Sequence, residues 1–218
     1  MILAAGRGER MRPLTDELPK PLLEAGGKPL LQYHVENLAR SGFDRVVINH
    51  ARLGELIEAR FGDGRSFNLE IVYSAEGYTP LETGGGIKKA LPLLGPEPFL
   101  VVNADVWTDL EFSGPDIAEE YLAHLILVPN PDHNPGGDFA LDQGTVINNG
   151  STRLTYSGIG VYRPELFTGC SKKIFSTVPL LQTAADRGEI SGEVFGGLWL
   201  DIGTPERLVQ LEKLLLSV

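Results

Sequence analysis

Two glycines stand directly after a short apolar run at the head of this chain. Met1 to Ala5 leads into Gly6-Arg7-Gly8-Glu9-Arg10-Met11-Arg12-Pro13-Leu14-Thr15, and Pro19-Lys20-Pro21-Leu22 follows. Glycines at the end of a strand let the backbone approach a ligand and turn several N–H groups toward it. Arg10, Arg12 and Lys20 add charge-assisted donors, so the guest such a loop suits is an anionic phosphate. A Gly-x-Gly pair alone is equally a plain turn. Here proline on both sides of Lys20 fixes the backbone around it and holds the ammonium in one direction. Two other phosphate loops do not fit. A P-loop needs four residues between its glycines and then Gly-Lys-Ser/Thr, and the dinucleotide fingerprint needs a third glycine where Met11 stands. A second candidate is Asp105, in Val101-Val102-Asn103-Ala104-Asp105-Val106. It follows an unbroken apolar run, which places its carboxylate at a strand end. Either it caps the next turn or it is half of a site for Mg²⁺, which binds through one or two carboxylates together with substrate phosphates.

The elements that must position these groups follow from periodicity. Apolar runs and helical patterns alternate: strand Met1 to Ala5, helix Leu30 to Ser41, strand Arg45 to Asn49, helix Leu53 to Phe61, strand Glu70 to Tyr73. Leu31, Val35, Leu38 and Ala39 share one helical face, and Gly42 stands where a helix end favours a left-handed residue. A helix is expected over Gly86 to Leu93, then strand Phe99 to Asn103, which lacks alternation and is therefore buried on both faces. This βαβαβ order predicts an α/β fold with a doubly wound, mostly parallel, Rossmann-like sheet, whose ligands sit at the carboxyl ends of its strands. Both the Gly6 loop and Asp105 fall there. His124 to Val128 reads as another core strand, and Pro129 to Gly137 as a loop. Short strands near Phe139 to Leu141, Thr145 to Ile147 and Leu154 to Tyr162 suggest a small antiparallel sugar-binding lobe, and Pro205 to Leu216 a closing amphipathic helix. The expected organisation is one domain over residues 1–218, with nucleotide binding in about 1–128 and the second substrate in about 129–200.

The run Leu3 to Thr15 with Pro19-Lys20-Pro21-Leu22 resembles the opening of the sugar-1-phosphate nucleotidyltransferases. The segment Trp199-Leu200-Asp201-Ile202-Gly203-Thr204-Pro205 is similar to a second motif of that family, in which the aspartate is the other metal ligand. The resemblance implies in-line attack by the phosphate of a sugar 1-phosphate on the α-phosphorus of a nucleoside triphosphate, with pyrophosphate leaving. No protein nucleophile is needed, so catalysis is positioning plus charge neutralisation. Nucleotide contacts are implied for Leu3, Ala4, Ala5, Gly6, Arg7 and Gly8, for Asn103, and for Glu82, Thr83, Gly84 and Gly85 in Pro80-Leu81-Glu82-Thr83-Gly84-Gly85-Gly86-Ile87. There three glycines ahead of a helix would let a base lie on the backbone. Relatives usually carry glycine where this chain has Glu82, which either reaches a ribose hydroxyl or simply suits a helix N-terminus. The catalytic roles fall on Arg10, at the β- and γ-phosphates, and Lys20, at the α-phosphate or the incoming phosphate. Mg²⁺ is expected on Asp105 and Asp201.

The family's Glu-Lys-Pro triplet, whose lysine clamps the sugar phosphate, has no counterpart. The corresponding stretch reads Gly137-Asp138-Phe139-Ala140-Leu141-Asp142. Asp138 and Gly158, in the turn Ser157-Gly158-Ile159-Gly160, are the expected sugar-binding residues, each equally open to a structural role. The short chain, the Glu82 variant and Gly137-Asp138-Phe139 resemble most the small uridylyltransferases acting on N-acetylmuramic acid 1-phosphate in cell-wall recycling. Glucose 1-phosphate and mannose 1-phosphate transferases are the alternatives. A third alternative, a non-catalytic sugar-nucleotide-binding paralogue, is countered by the joint presence of Arg10, Lys20, Asp105 and Asp201.

Composition sets the outer limits. With 218 residues, 42% hydrophobic and 22% charged, the chain is an ordinary globular protein. Its net charge of −10 argues against a nucleic-acid partner and leaves small-molecule substrates. The single cysteine, Cys170, forms no internal disulfide, no charged leader is recognisable, and no apolar run spans a bilayer, so the expected compartment is the cytoplasm. No hexapeptide repeats indicate a fused β-helix, and the natural start is expected slightly upstream of Met1. The four histidines, His34, His50, His124 and His133, lack metal-ligand spacing, and His34 on its helix is expected to pack.

Overall fold

The structure, a computed structural model, describes residues 1–216. Strands β1 (Ile2–Leu3), β2 (Glu24–Ala25), β3 (Lys28–Pro29), β4 (Arg45–His50), β5 (Glu70–Ala75), β6 (Phe99–Asn103) and β7 (Val106–Thr108) make up the first half. Strands β8 (Ala123–Val128), β9 (Phe139–Asp142), β10 (Thr145–Ile147), β11 (Arg153–Tyr162), β12 (Ile190–Val194) and β13 (Trp199–Asp201) make up the second. The helices are α1 (Leu30–Arg40), α2 (Gly54–Phe61), α3 (Glu82–Leu94), α4 (Val178–Asp186) and α5 (Pro205–Leu216).

Nine strands form one sheet in the order β5-β4-β1-β6-β11-β8-β12-β10-β9. The first four are parallel, as the βαβ periodicity predicts. From β11 onward antiparallel pairings predominate, with β8 and β12 the parallel exception. The antiparallel strands expected as a small lobe are present, and they continue the same sheet: β9 bonds to both β10 and β11. Sequence reading passed over α4, β12 and the pair β7–β13.

Alternation in the central strands divides the core. Ile2, Ile48 and Val102 pack on one face with Leu31, Val35 and Leu38 of α1 and Ile57 and Phe61 of α2. Val47 and Val101 face the other way, against Ile87 and Ala90 of α3, with Leu181 and Ala184 of α4 farther along. This is the double winding, and it leaves the carboxyl ends of β1, β4 and β6 open along one edge. A third cluster seats α5 on the hairpin β2–β3 through Ala25, Leu30, Ile202 and Leu211. After α1, Gly42 adopts φ +82°, the left-handed stop expected of it.

Candidate active site

The Gly6 loop leaves β1 and is braced by its own residues. Thr15 Oγ1 donates to the Gly8 carbonyl at 2.8 Å. Gly8 itself has φ +64°, and a methyl there would stand 3.0 Å from the Thr15 side chain and 3.2 Å from Lys20 Cβ, so both conformation and space require glycine. Pro19-Lys20-Pro21 forms the expected fixed turn, a single 3₁₀ turn over Lys20–Leu22. It carries the Lys20 ammonium to 2.7 Å from Asp105 Oδ2 at the end of β6.

A cavity of about 200 Å³ opens at this edge, lined by Leu3, Ala4, Ala5, Gly6, Lys20, Asn103 and Asp105 together with Glu82 and Thr83. Residues from four separate stretches of sequence therefore converge. Pro21, Asn49, Pro80 and Ala104 complete the wall. Asn49 was passed over because nothing local distinguishes an asparagine ending a strand. Its Oδ1 accepts from Ala4 N–H at 2.9 Å and its Nδ2 donates to Glu76 Oε1 at 2.6 Å. Glu76 Oε2 in turn accepts from Leu81 N–H at 2.6 Å, so one chain of bonds ties the segment after β1 to the start of α3.

The glycine run needs correction. Gly84, Gly85 and Gly86 do not precede the helix but form its first turn, and all three are buried by protein. A methyl on Gly84 would collide with the Phe175 ring, one on Gly85 with the Lys173 carbonyl, and one on Gly86 would lie 2.6 Å from Glu76 Oε1. Each glycine gives room to a protein neighbour, and neither Gly84 nor Gly85 lines the cavity. Glu82 has φ +60°, a region that disfavours residues with a Cβ. Arg7 and Gly8 also lie off the cavity wall; Arg7 pairs with Glu9 at the surface.

Asp201 stands beside Asp105 through the backbone. It pairs in register with Val106, and Ile202 N–H donates to the Asp105 carbonyl at 2.6 Å. On the ridge that these paired backbones form, Asp201 lines a second cavity rather than the first, with Oδ1 3.2 Å from His133 Nε2 and Oδ2 in a short ion pair with Arg207. His133 and Arg207 are site neighbours that sequence reading missed, one in a loop that read as a connector and the other inside a helical pattern. Below the ridge, buried His34 meets the Val106 backbone; burial is the main cause of a pKa lowered to about 4. Among the described residues no group of three or more His, Cys, Asp or Glu side chains is placed to hold a metal. Asp105 and Asp201 are hard carboxylates on adjoining backbones, the donor type that suits Mg²⁺ when substrate oxygens complete the set.

Arg10 lies across the same ridge, for a methyl on Gly203 would be 3.2 Å from its guanidinium. Gly158, φ +79°, sits at the bulge of β11, where a methyl would reach 2.5 Å from Asn103 Nδ2; it keeps that cavity residue in place. Asp138 does not line the cavity. Its Oδ2 accepts from Tyr156 N–H at 2.8 Å and from Asn134 Nδ2 at 3.2 Å, which ties the 129–137 loop to β11.

Residues 1–128 match the family described as "Nucleotidyl transferase". The chain is 49% identical to the N-acetylmuramate alpha-1-phosphate uridylyltransferase of Neisseria meningitidis serogroup B, over 98% of this chain and 96% of that one. The protein of the same name from Caulobacter vibrioides is 33% identical over 97% and 94%. A solved inositol-1-phosphate CTP transferase from T. maritima superposes with a TM-score of 0.81 at 19% identity, covering 99% of this chain and 94% of that one, which shows a shared fold.

Proposed function

Because this chain belongs to the sugar-1-phosphate nucleotidyltransferase family, we propose that it transfers a uridylyl group from UTP to N-acetylmuramic acid 1-phosphate, forming UDP-N-acetylmuramic acid and releasing pyrophosphate. The observation that carries the reading is the Lys20–Asp105 pair at 2.7 Å on the cavity wall, in a chain 49% identical end to end to a uridylyltransferase of that name. The role this activity would serve is cell-wall sugar recycling.

The nucleoside lies in the cavity bounded by Leu3 to Gly6, Thr83 and Asn103. The open loop amides and Arg10 receive the β- and γ-phosphates. Lys20, turned into the cavity by its two prolines, meets the α-phosphate, where charge builds during attack. The attacking oxygen already belongs to a phosphate anion, so no side chain has to remove a proton. The work of the site is to bring two anions into line and offset their repulsion. Asp105 and Asp201 are the residues that would hold Mg²⁺, which when bound neutralises phosphate charge and lowers the barrier to approach. In the structure Lys20 and Arg207 balance these carboxylates, so both aspartates keep a defined direction.

The test is pyrophosphate release from UTP, dTTP, CTP, GTP and ATP against N-acetylmuramic acid, N-acetylglucosamine, glucose and mannose 1-phosphates, with Mg²⁺ or EDTA. Release with UTP and the muramic sugar, abolished by EDTA, is the expected result. Preference for another pair would replace the substrates, and silence from folded protein would remove the enzymatic reading.

A further inference from the structure

The loop that follows β1 has little core of its own. From Gly6 to Asp16 only Met11 and Thr15 are buried, Met11 in the cluster with Leu30 and Ile202 and Thr15 at 2% exposure. Both bear on one carbonyl: Gly8 O accepts from Met11 N–H at 2.9 Å and from Thr15 Oγ1 at 2.8 Å. The N–H groups of Gly6, Arg7 and Gly8 have no acceptor among the described residues. These are the donors to which the reading above assigns the β- and γ-phosphates, and their direction depends on Thr15 keeping its place against Gly8.

Arg52, from outside the loop, holds Thr15 there. Its Nη1 donates to the Thr15 carbonyl at 3.0 Å and its Nη2 to the Asp16 carbonyl. Two donors of one planar guanidinium on successive carbonyls fix both the position and the tilt of that stretch of chain. The turn that presents Arg52 is itself constrained. Gly54 N–H donates to the Ala51 carbonyl at 3.1 Å, and Leu53 is left-handed at φ +59°, a conformation leucine rarely adopts. A methyl on Gly54 would lie 1.8 Å from Nδ1 of buried His50, whose Nε2 meets Glu58 Oε1 at 2.6 Å. The end of β4 thus grips the segment after β1 at two points, Asn49 at Ala4 and Arg52 at Thr15 and Asp16.

Resting on the function proposed above, we propose that Arg52 is a positioning residue for the β- and γ-phosphates of the nucleotide. It clamps the far end of the phosphate loop, keeps Thr15 against Gly8, and so fixes the loop amides before a nucleotide arrives. Without the clamp the loop has to be ordered on binding, and that cost is subtracted from the affinity of any ligand that uses the loop.

Equilibrium binding of UTP and of UMP, each with Mg²⁺, to the parent, Arg52→Lys and Arg52→Ala tests the assignment. UMP shares the nucleoside and the α-phosphate but lacks the two phosphates assigned to the loop. The expected result is a Kd for UTP raised about tenfold in Arg52→Ala, with the Kd for UMP moved less than twofold. Arg52→Lys keeps one charged donor and should fall between parent and alanine. A brace with only a structural role would lower the melting midpoint and weaken both nucleotides together, so equal weakening overturns the proposal, as does a UTP Kd within twofold of the parent. Binding is measured well below the melting midpoint of each sample; if Arg52→Ala does not fold, the UTP-to-UMP comparison in Arg52→Lys decides. A parent that binds neither nucleotide removes the function proposed above and this role with it. A parent that binds UTP, with variants that leave the UTP-to-UMP ratio unchanged, removes this role alone.

Discussion

Replacing Lys20 by alanine removes the ammonium that stands on the wall of the first cavity, where the proposed reaction places the α-phosphate. The lost donor is preorganised, 2.7 Å from Asp105 Oδ2 and flanked by prolines, so the cost should fall on the transition state. One such donor is typically worth about 10² to 10³ in kcat, or roughly 2.7–4 kcal/mol. The effect on stability should be far smaller. The lysine side chain is 10% exposed but its partner is 39% exposed, so water can resolvate the Asp105 carboxylate once the ammonium is gone. That places the cost near the exposed limit, about 1 kcal/mol, equivalent to about 2–4 °C in Tm for a chain of this size. The assay is pyrophosphate release at saturating UTP and sugar 1-phosphate, with thermal melting on the same preparation. Expected is a kcat down at least a hundredfold in a protein that still melts cooperatively a few degrees lower. Asp105→Asn and the double variant complete a cycle: if both groups act on the same phosphates, the double variant loses less than the product of the two single losses. A Lys20→Ala enzyme within twofold of the parent at saturation would refute the role assigned to this lysine.

Three further outcomes follow from the same structure. Gly84→Ala should cost about 1–3 kcal/mol in a denaturant or thermal midpoint, because its methyl must displace the Phe175 ring; an unchanged midpoint would contradict the packing role of the glycine run. Glu82→Gly should raise stability by about 0.5–1 kcal/mol by relieving φ +60° while weakening the KM for UTP, and a fall in Tm would show that the carboxylate, not the backbone, dominates there. His34, ordinarily titrating near 6.5 and lowered in the fold to about 4, binds its proton more readily when unfolded. Its contribution is therefore complete above about pH 6.5 and is lost as pH falls toward 4, by up to about 3 kcal/mol. His34→Leu should flatten that part of the stability profile relative to the parent, and an identical slope would exclude His34 as its source.

Much of this protein was legible in the order of its residues. The phosphate loop, the proline-framed Lys20 and the strand that delivers Asp105 are local features: each depends on glycine conformation, proline rigidity or apolar periodicity within a few positions, and each lies where those rules put it. The same holds for α1, α2 and the parallel half of the sheet, whose alternation and helical faces announce the two layers. Local rules started α3 at Gly86 rather than Glu82, because glycine is a poor helix former. Only Phe175, the Lys173 carbonyl and Glu76, brought from other segments, show why glycine stands there: no side chain has room. Asn49, His133 and Arg207 are the counterpart among functional neighbours: a strand-end asparagine, a loop histidine and a helix arginine are unremarkable until tertiary structure sets them against Ala4 and Asp201. The chain alone thus determined which groups are candidates to meet phosphate, because that chemistry is written in short motifs. Only the tertiary structure decided which of those groups share a cavity wall and which partners they meet, because pairings between distant residues are set by packing.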